Sequence, residues 1–95
     1  MISQELKKIA NFYGYEAQSN QLIEECAELI QAINKYRRAT TEEMEEIALV
    51  NIIEEIADVE IMLGQIKYLL NIPEEELEAI KLFKVNRTKE RIKGA

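Results

Sequence analysis

The sequence predicts an all-α chain, a four-helix bundle-like subunit, and three observations carry that expectation. Three Gly and one Pro in 95 residues leave almost no turn-forming material. Apolar residues recur at three- and four-residue steps along most of the chain, and no segment alternates with a period of two over a useful length. At 47% hydrophobic and 32% charged, with so little Gly and Pro, the composition disfavours both disorder and an all-β sandwich.

The first helix is expected from an N-cap at Ser3 to Tyr13, with Leu6, Ile9, Ala10 and Tyr13 at helical spacing and Gly14 as the stop. A second begins near Ser19 or Asn20 and carries Leu22, Cys26, Leu29 and Ile33 on one core stripe. Lys35, Arg37 and Arg38 close it, where cations suit the negative end of the helix dipole. Thr40 and Glu43 read as a capping box opening a third helix that runs to Leu70, as one piece or with a bend near Asn51. Pro73 then starts a fourth, rich in Glu at its first turn and ending near Ile92. The third helix is apolar nearly all the way round, which a lone small bundle would not expose; a homo-oligomer is therefore expected.

Length bounds the molecule to a single domain, residues 1–95. One cysteine, Cys26, cannot build a disulfide framework, and its place on the core stripe reads as a small buried apolar residue. No secretory leader is legible, and no apolar run approaches the roughly 20 residues that cross a bilayer, so a cytoplasmic, non-membrane protein is expected. The formal charge of −6 argues against sequence-blind binding to nucleic acid. Six of the twelve basic residues fall in the last fifteen positions, but Phe83 is the only ring among them, so single-strand stacking is not expected either. Zero histidine removes the commonest general base and metal ligand.

Residues 22–29 read Leu-Ile-Glu-Glu-Cys-Ala-Glu-Leu and residues 52–59 read Ile-Ile-Glu-Glu-Ile-Ala-Asp-Val. Ile52, Ile56, Val59 and Leu63 form the core stripe of the third helix, and each repeat puts two carboxylates three residues apart on one flank of its stripe, Glu25 with Glu28 and Glu55 with Asp58. Antiparallel packing would bring the four together. None of these acids, nor Glu24 or Glu54, has a Lys or Arg three or four positions away. Two carboxylates about 4 Å apart repel by about 4 kcal/mol at an effective dielectric near 20, so protons or a cation must compensate. Oxygen-only donors suit a hard ion, Mg²⁺ or Mn²⁺; the absent histidines exclude a di-iron bundle. Mg²⁺ is commonly shared with substrate phosphates, and Lys81, Lys84, Arg87 and Arg91 recur at three- and four-residue steps as a cationic helix face able to hold them.

The pair Glu25-Cys-Ala-Glu28 and Glu55-Ile-Ala-Asp58, 26 residues apart, with Lys84-Val-Asn-Arg87 downstream, resembles the signature of the MazG-like all-α nucleoside triphosphate pyrophosphohydrolases. The resemblance runs from about Tyr13 to Arg91. It implies a helical homodimer or homotetramer that hydrolyses a nucleoside triphosphate to monophosphate and pyrophosphate with Mg²⁺. On that resemblance Glu25, Glu28, Glu55 and Asp58 would hold the metal, and Lys84, Asn86 and Arg87 would touch phosphates. Glu24 or Glu54 would orient the attacking water, and Gln18 and Gln21 would reach base or sugar. The rival expectation is a non-catalytic helical oligomerisation module whose acids only keep it soluble.

Overall fold

The computed structural model describes residues 2–95. They form α1 (Gln4–Arg38), α2 (Glu42–Leu69) and α3 (Glu74–Lys93), with no strand among the described residues. The all-α expectation is met, but there are three helices, so a single chain is not a four-helix bundle. The expected first and second helices are the two limbs of α1, which bends at Gly14 (φ 85°, ψ 170°) and resumes at once. A glycine in that region redirects the backbone within one residue. Tyr15-Glu-Ala-Gln-Ser then offers nothing that breaks a helix, so no loop intervenes.

Ser3 caps α1 as expected, its Oγ accepting from the Leu6 N–H at 3.2 Å. The cap of α2 is Thr41 rather than Thr40: Thr41 Oγ1 accepts from the Met44 N–H at 3.1 Å, while the Thr40 hydroxyl donates to the Met44 sulfur. α2 is helical throughout, with no bend at Asn51. It ends where Asn71 takes a left-handed conformation (φ 53°), with the Asn71 N–H bonded to the Tyr68 carbonyl and the Ile72 N–H to that of Lys67. This is a Schellman closure, with asparagine in the place glycine usually fills. Pro73 caps α3 from outside instead of lying in its first turn.

α1 and α2 pack antiparallel. Asn11 donates to the Tyr68 hydroxyl at 2.9 Å and Gln18 donates to Gln65 Oε1 at 2.7 Å. The seam between them has a seven-residue repeat, with Gln18, Glu25 and Ala32 buried on α1 and Ala48, half-buried Glu55 and Met62 on α2. Paired in the antiparallel sense these make three layers, Ala32 with Ala48, Glu25 with Glu55, and Gln18 with Met62. The expected core stripes lie about 60° to one side of the seam. Cys26 is exposed, not buried, and Ile33, Ile56 and Leu63 remain 43%, 42% and 43% exposed. Because the helices run in opposite directions, the two stripes fall on the same side of the pair, and Glu28 and Asp58 fall together on the other.

α3 packs on neither helix and buries no residue; the Lys67–Glu74 ion pair at 3.4 Å ties its first turn to the end of α2. The molecule is accordingly flat and spread, 43 × 39 × 20 Å, with a radius of gyration of 16.9 Å against about 12 Å for a compact chain of this length. Its accessible surface is 7628 Å², where a compact monomer of this mass exposes about 5,600 Å².

Candidate metal centre

The two alanines of the end layer have no side chain beyond Cβ, so α1 and α2 approach closely and the next layer of the seam is pinched. Two glutamates occupy that layer. Carboxylate oxygens of Glu25, Glu28 and Glu55 lie within 4.8 Å of one another, contributed by both helices. The charge of Asp58 acts on the Glu25 carboxyl, and that of Glu28 on Glu55. The meeting of three of the four expected carboxylates, all but Asp58, therefore forms. It is reached through the seam itself, since Glu25 and Glu55 lie on the line of contact and not on its flank.

Glu25 is 9% exposed, and its Oε1 accepts from the Gln21 amide at 2.8 Å. Its Oε2 and the Oε2 of Glu55 are enclosed without a hydrogen-bond partner. The ion pairs among the described residues are Lys67–Glu74, Lys81–Glu78 and Lys93–Glu90, and none touches the cluster. Burial pushes the Glu25 carboxyl above the ordinary glutamate range, opposed by the Gln21 hydrogen bond and reinforced by Asp58 and Glu28. Burial likewise raises Glu55, with the Glu28 charge next and those of Asp58 and Glu25 behind it. Enclosed, unpartnered, oxygen-only donors from two helices fit a hard divalent cation, which would satisfy the orphaned lone pairs and cancel the mutual repulsion.

Glu24 and Glu54 are exposed, one on each helix, and helical rotation puts both on the side of the pair that carries the exposed Glu28 and Asp58, the mouth of the cluster. Gln21 is exposed but engaged with Glu25, whereas Gln18 is buried in the seam and bonded to Gln65, away from any ligand. Lys81, Lys84, Asn86, Arg87 and Arg91 all lie on α3, so one copy of the chain does not bring them to the carboxylates. Lys81 pairs with Glu78 at 3.3 Å, and the Arg87 guanidinium sits 5.9 Å from the Phe83 ring centroid. The structure adds residues that the sequence did not single out for the site. Lys35, Arg38 and Asn51, with Met44, Ile47 and Val50, line an open groove of about 650 Å³ that reaches Glu54. Their signal was the seven-residue spacing from Glu28 to Lys35, which puts a cation on the same face two turns along.

No family model, curated protein or solved structure matches the chain.

Proposed function

We propose that this chain is a Mg²⁺-dependent nucleoside triphosphate pyrophosphohydrolase that works as a homo-oligomer. The supporting observation is the pair of glutamates facing one another in the α1–α2 seam, each with an enclosed, unpartnered oxygen and no cationic side chain in reach. A merely structural seam would carry Leu or Ile at those two positions, because burying like charges opposes folding. The resemblance of the two acidic motifs to the MazG-like pattern supports the same conclusion.

Glu25, Glu28, Glu55 and Asp58 would hold Mg²⁺, with Mn²⁺ as its substitute, and the ion would supply charge screening and polarisation of a phosphoanhydride. Glu28 and Asp58 are exposed, so the triphosphate would approach from their side with its nucleoside outside. Glu24 or Glu54 there would orient a water and take its proton as it attacks the α-phosphorus. The bond from that phosphorus to its α–β bridging oxygen breaks and pyrophosphate leaves. Lys84, Asn86 and Arg87 would bind the departing charge once α3 is brought to the mouth.

Association is supported by surface. The chain exposes about 2,000 Å² more than a compact monomer should, on the scale that obligate interfaces bury. Two copies closing the half-covered stripes of α1 and α2 would make a four-helix core between them.

The test is pyrophosphate release from a panel of ordinary, deoxy and damaged triphosphates with Mg²⁺ or Mn²⁺, beside a melting curve with and without the ion. A native-state metal site raises stability by about 2.7 kcal/mol at a hundred times its Kd. An unmoved melting temperature together with no pyrophosphate leaves only the non-catalytic oligomerisation module.

A further inference from the structure

We infer that α3 is an exchanged arm: it docks along the carboxylate face of the α1–α2 pair of a second copy, carrying Lys84 and Arg87 to that copy's mouth. Three observations carry this. α3 is fully formed yet packs on neither α1 nor α2 of its own chain, and on the face that would dock Ile80 is 51% exposed and Leu77 only partly covered. It is also bipolar: Glu74, Glu75, Glu76 and Glu78 fill its first half, and from Lys81 to Lys93 six cations stand against the single acid Glu90. The carboxylate face of the α1–α2 pair is bipolar in the complementary sense, with Lys35 and Arg38 beside an apolar wall at one end and the acidic mouth further along.

The two patterns are in register. From Ile47 in the groove wall to Glu54 at the mouth is seven residues of helix, about 10 Å, and from Leu77 to Lys84 is also seven. Leu77, Ile80, Lys84, Arg87 and Arg91 share one face of α3. Laid parallel to α2 of the second copy, that face seats Leu77 and Ile80 against Ile47 and Val50. The acids of α3 then flank Lys35 and Arg38, and Lys84 and Arg87 cross the mouth.

A chain cannot do this to itself. The groove lies at the start of α2 and α3 follows its end, a separation of about 42 Å along 28 residues. The four residues Leu70–Pro73 reach about 17 Å at most. An arm folded back on its own α2 would take its acids to the Lys67 end and, at about 30 Å, leave the Met44–Ile47 end of the groove uncovered. That Lys84 and Arg87 then meet triphosphate oxygens rests on the pyrophosphohydrolase proposal; the docking does not.

The experiment is a cysteine cross-link in the full chain with Cys26→Ala. One chain carries Ala39→Cys in the groove, another, made distinguishable by a tag, carries Glu76→Cys on α3, and the mixture is refolded together and treated with a short bis-maleimide. A covalent species joining the two chains is expected. The pair Val50→Cys and Ile80→Cys repeats the measurement should the first pair fail to fold. No hetero-linked species from an oligomer that retains its helicity, or a monomer in sedimentation, overturns the inference. The gel needs no nucleotide: linked chains that release no pyrophosphate sink the enzyme and keep the arm, and active chains that do not link do the reverse.

Discussion

Glu25 and Glu55 are the residues on which the proposed chemistry turns, because each occupies a position where a helix pair ordinarily puts carbon. Glu25→Gln keeps the shape and the Gln21 side of the contact while removing one charge from the pinch. The metal-free protein should therefore melt at a higher temperature than the parent, lose its Mg²⁺-dependent shift, and lose turnover by roughly 10²-fold or more, a scale set by removal of one electrostatic group from an active site. A variant that melts lower and keeps the shift contradicts the site. Both carboxyls have folded-state pKa values above the unfolded value of about 4.3. Raised acids favour the folded state while protonated, so their contribution is full below that value and is lost as pH climbs through the folded pKa values. In a chelator, stability should fall as pH rises from about 4 across the acid range. The Mg²⁺-induced shift should grow over the same interval, since only the ionised cluster binds the ion. A melting series with and without chelator checks both slopes.

At the scale of elements, two local devices set the direction of the chain. Gly14 turns α1 in a conformation that only glycine adopts without strain, and a Cβ there would meet nothing, so the penalty of a side chain is purely one of backbone. Gly14→Ala should destabilise by about 1–3 kcal/mol, measured by urea unfolding, with the carboxylate cluster undisturbed because it lies more than a helical turn beyond the bend. The Ala32–Ala48 layer sets how near α1 and α2 come. Ala48→Leu should pry the seam open, cost about 1–3 kcal/mol through overpacking, and weaken Mg²⁺ binding although no ligand is altered. Calorimetric titration with Mg²⁺ reads that loss. These helices were legible in sequence because their punctuation is chemical: Ser3, Pro73 and the acid-rich starts act within a turn. The junctions were less so. Gly14 interrupts a helix without ending it, and of two adjacent threonines the one that caps is chosen by where α1 has already closed, at Ala39.

For the whole molecule, one copy leaves an apolar face half covered and α3 without a neighbour. Ile56→Glu puts a charge at the centre of the face while standing off the seam, and it should dissociate the proposed oligomer. Sedimentation of the variant at several concentrations should show a shift towards monomer with a large loss of stability. An unchanged assembly would place the interface elsewhere.

Within one strand of text, the spacing of Glu25 with Glu28 and of Glu55 with Asp58 was enough to pair the carboxylates, because a helix turns every residue by a fixed angle. Helicity, the caps and the unrelieved repulsion follow from the same local geometry. Which face of each helix would be covered was not so determined. The apolar stripe through Leu22, Cys26, Leu29 and Ile33 has the stronger claim to burial by composition, yet α1 and α2 meet along Gln18, Glu25 and Ala32. Only the three-dimensional pairing decides that, since burial is a property of two surfaces and each helix encodes one. The small alanines permit a close approach that the stripe's larger side chains do not, and the stripe is left half covered.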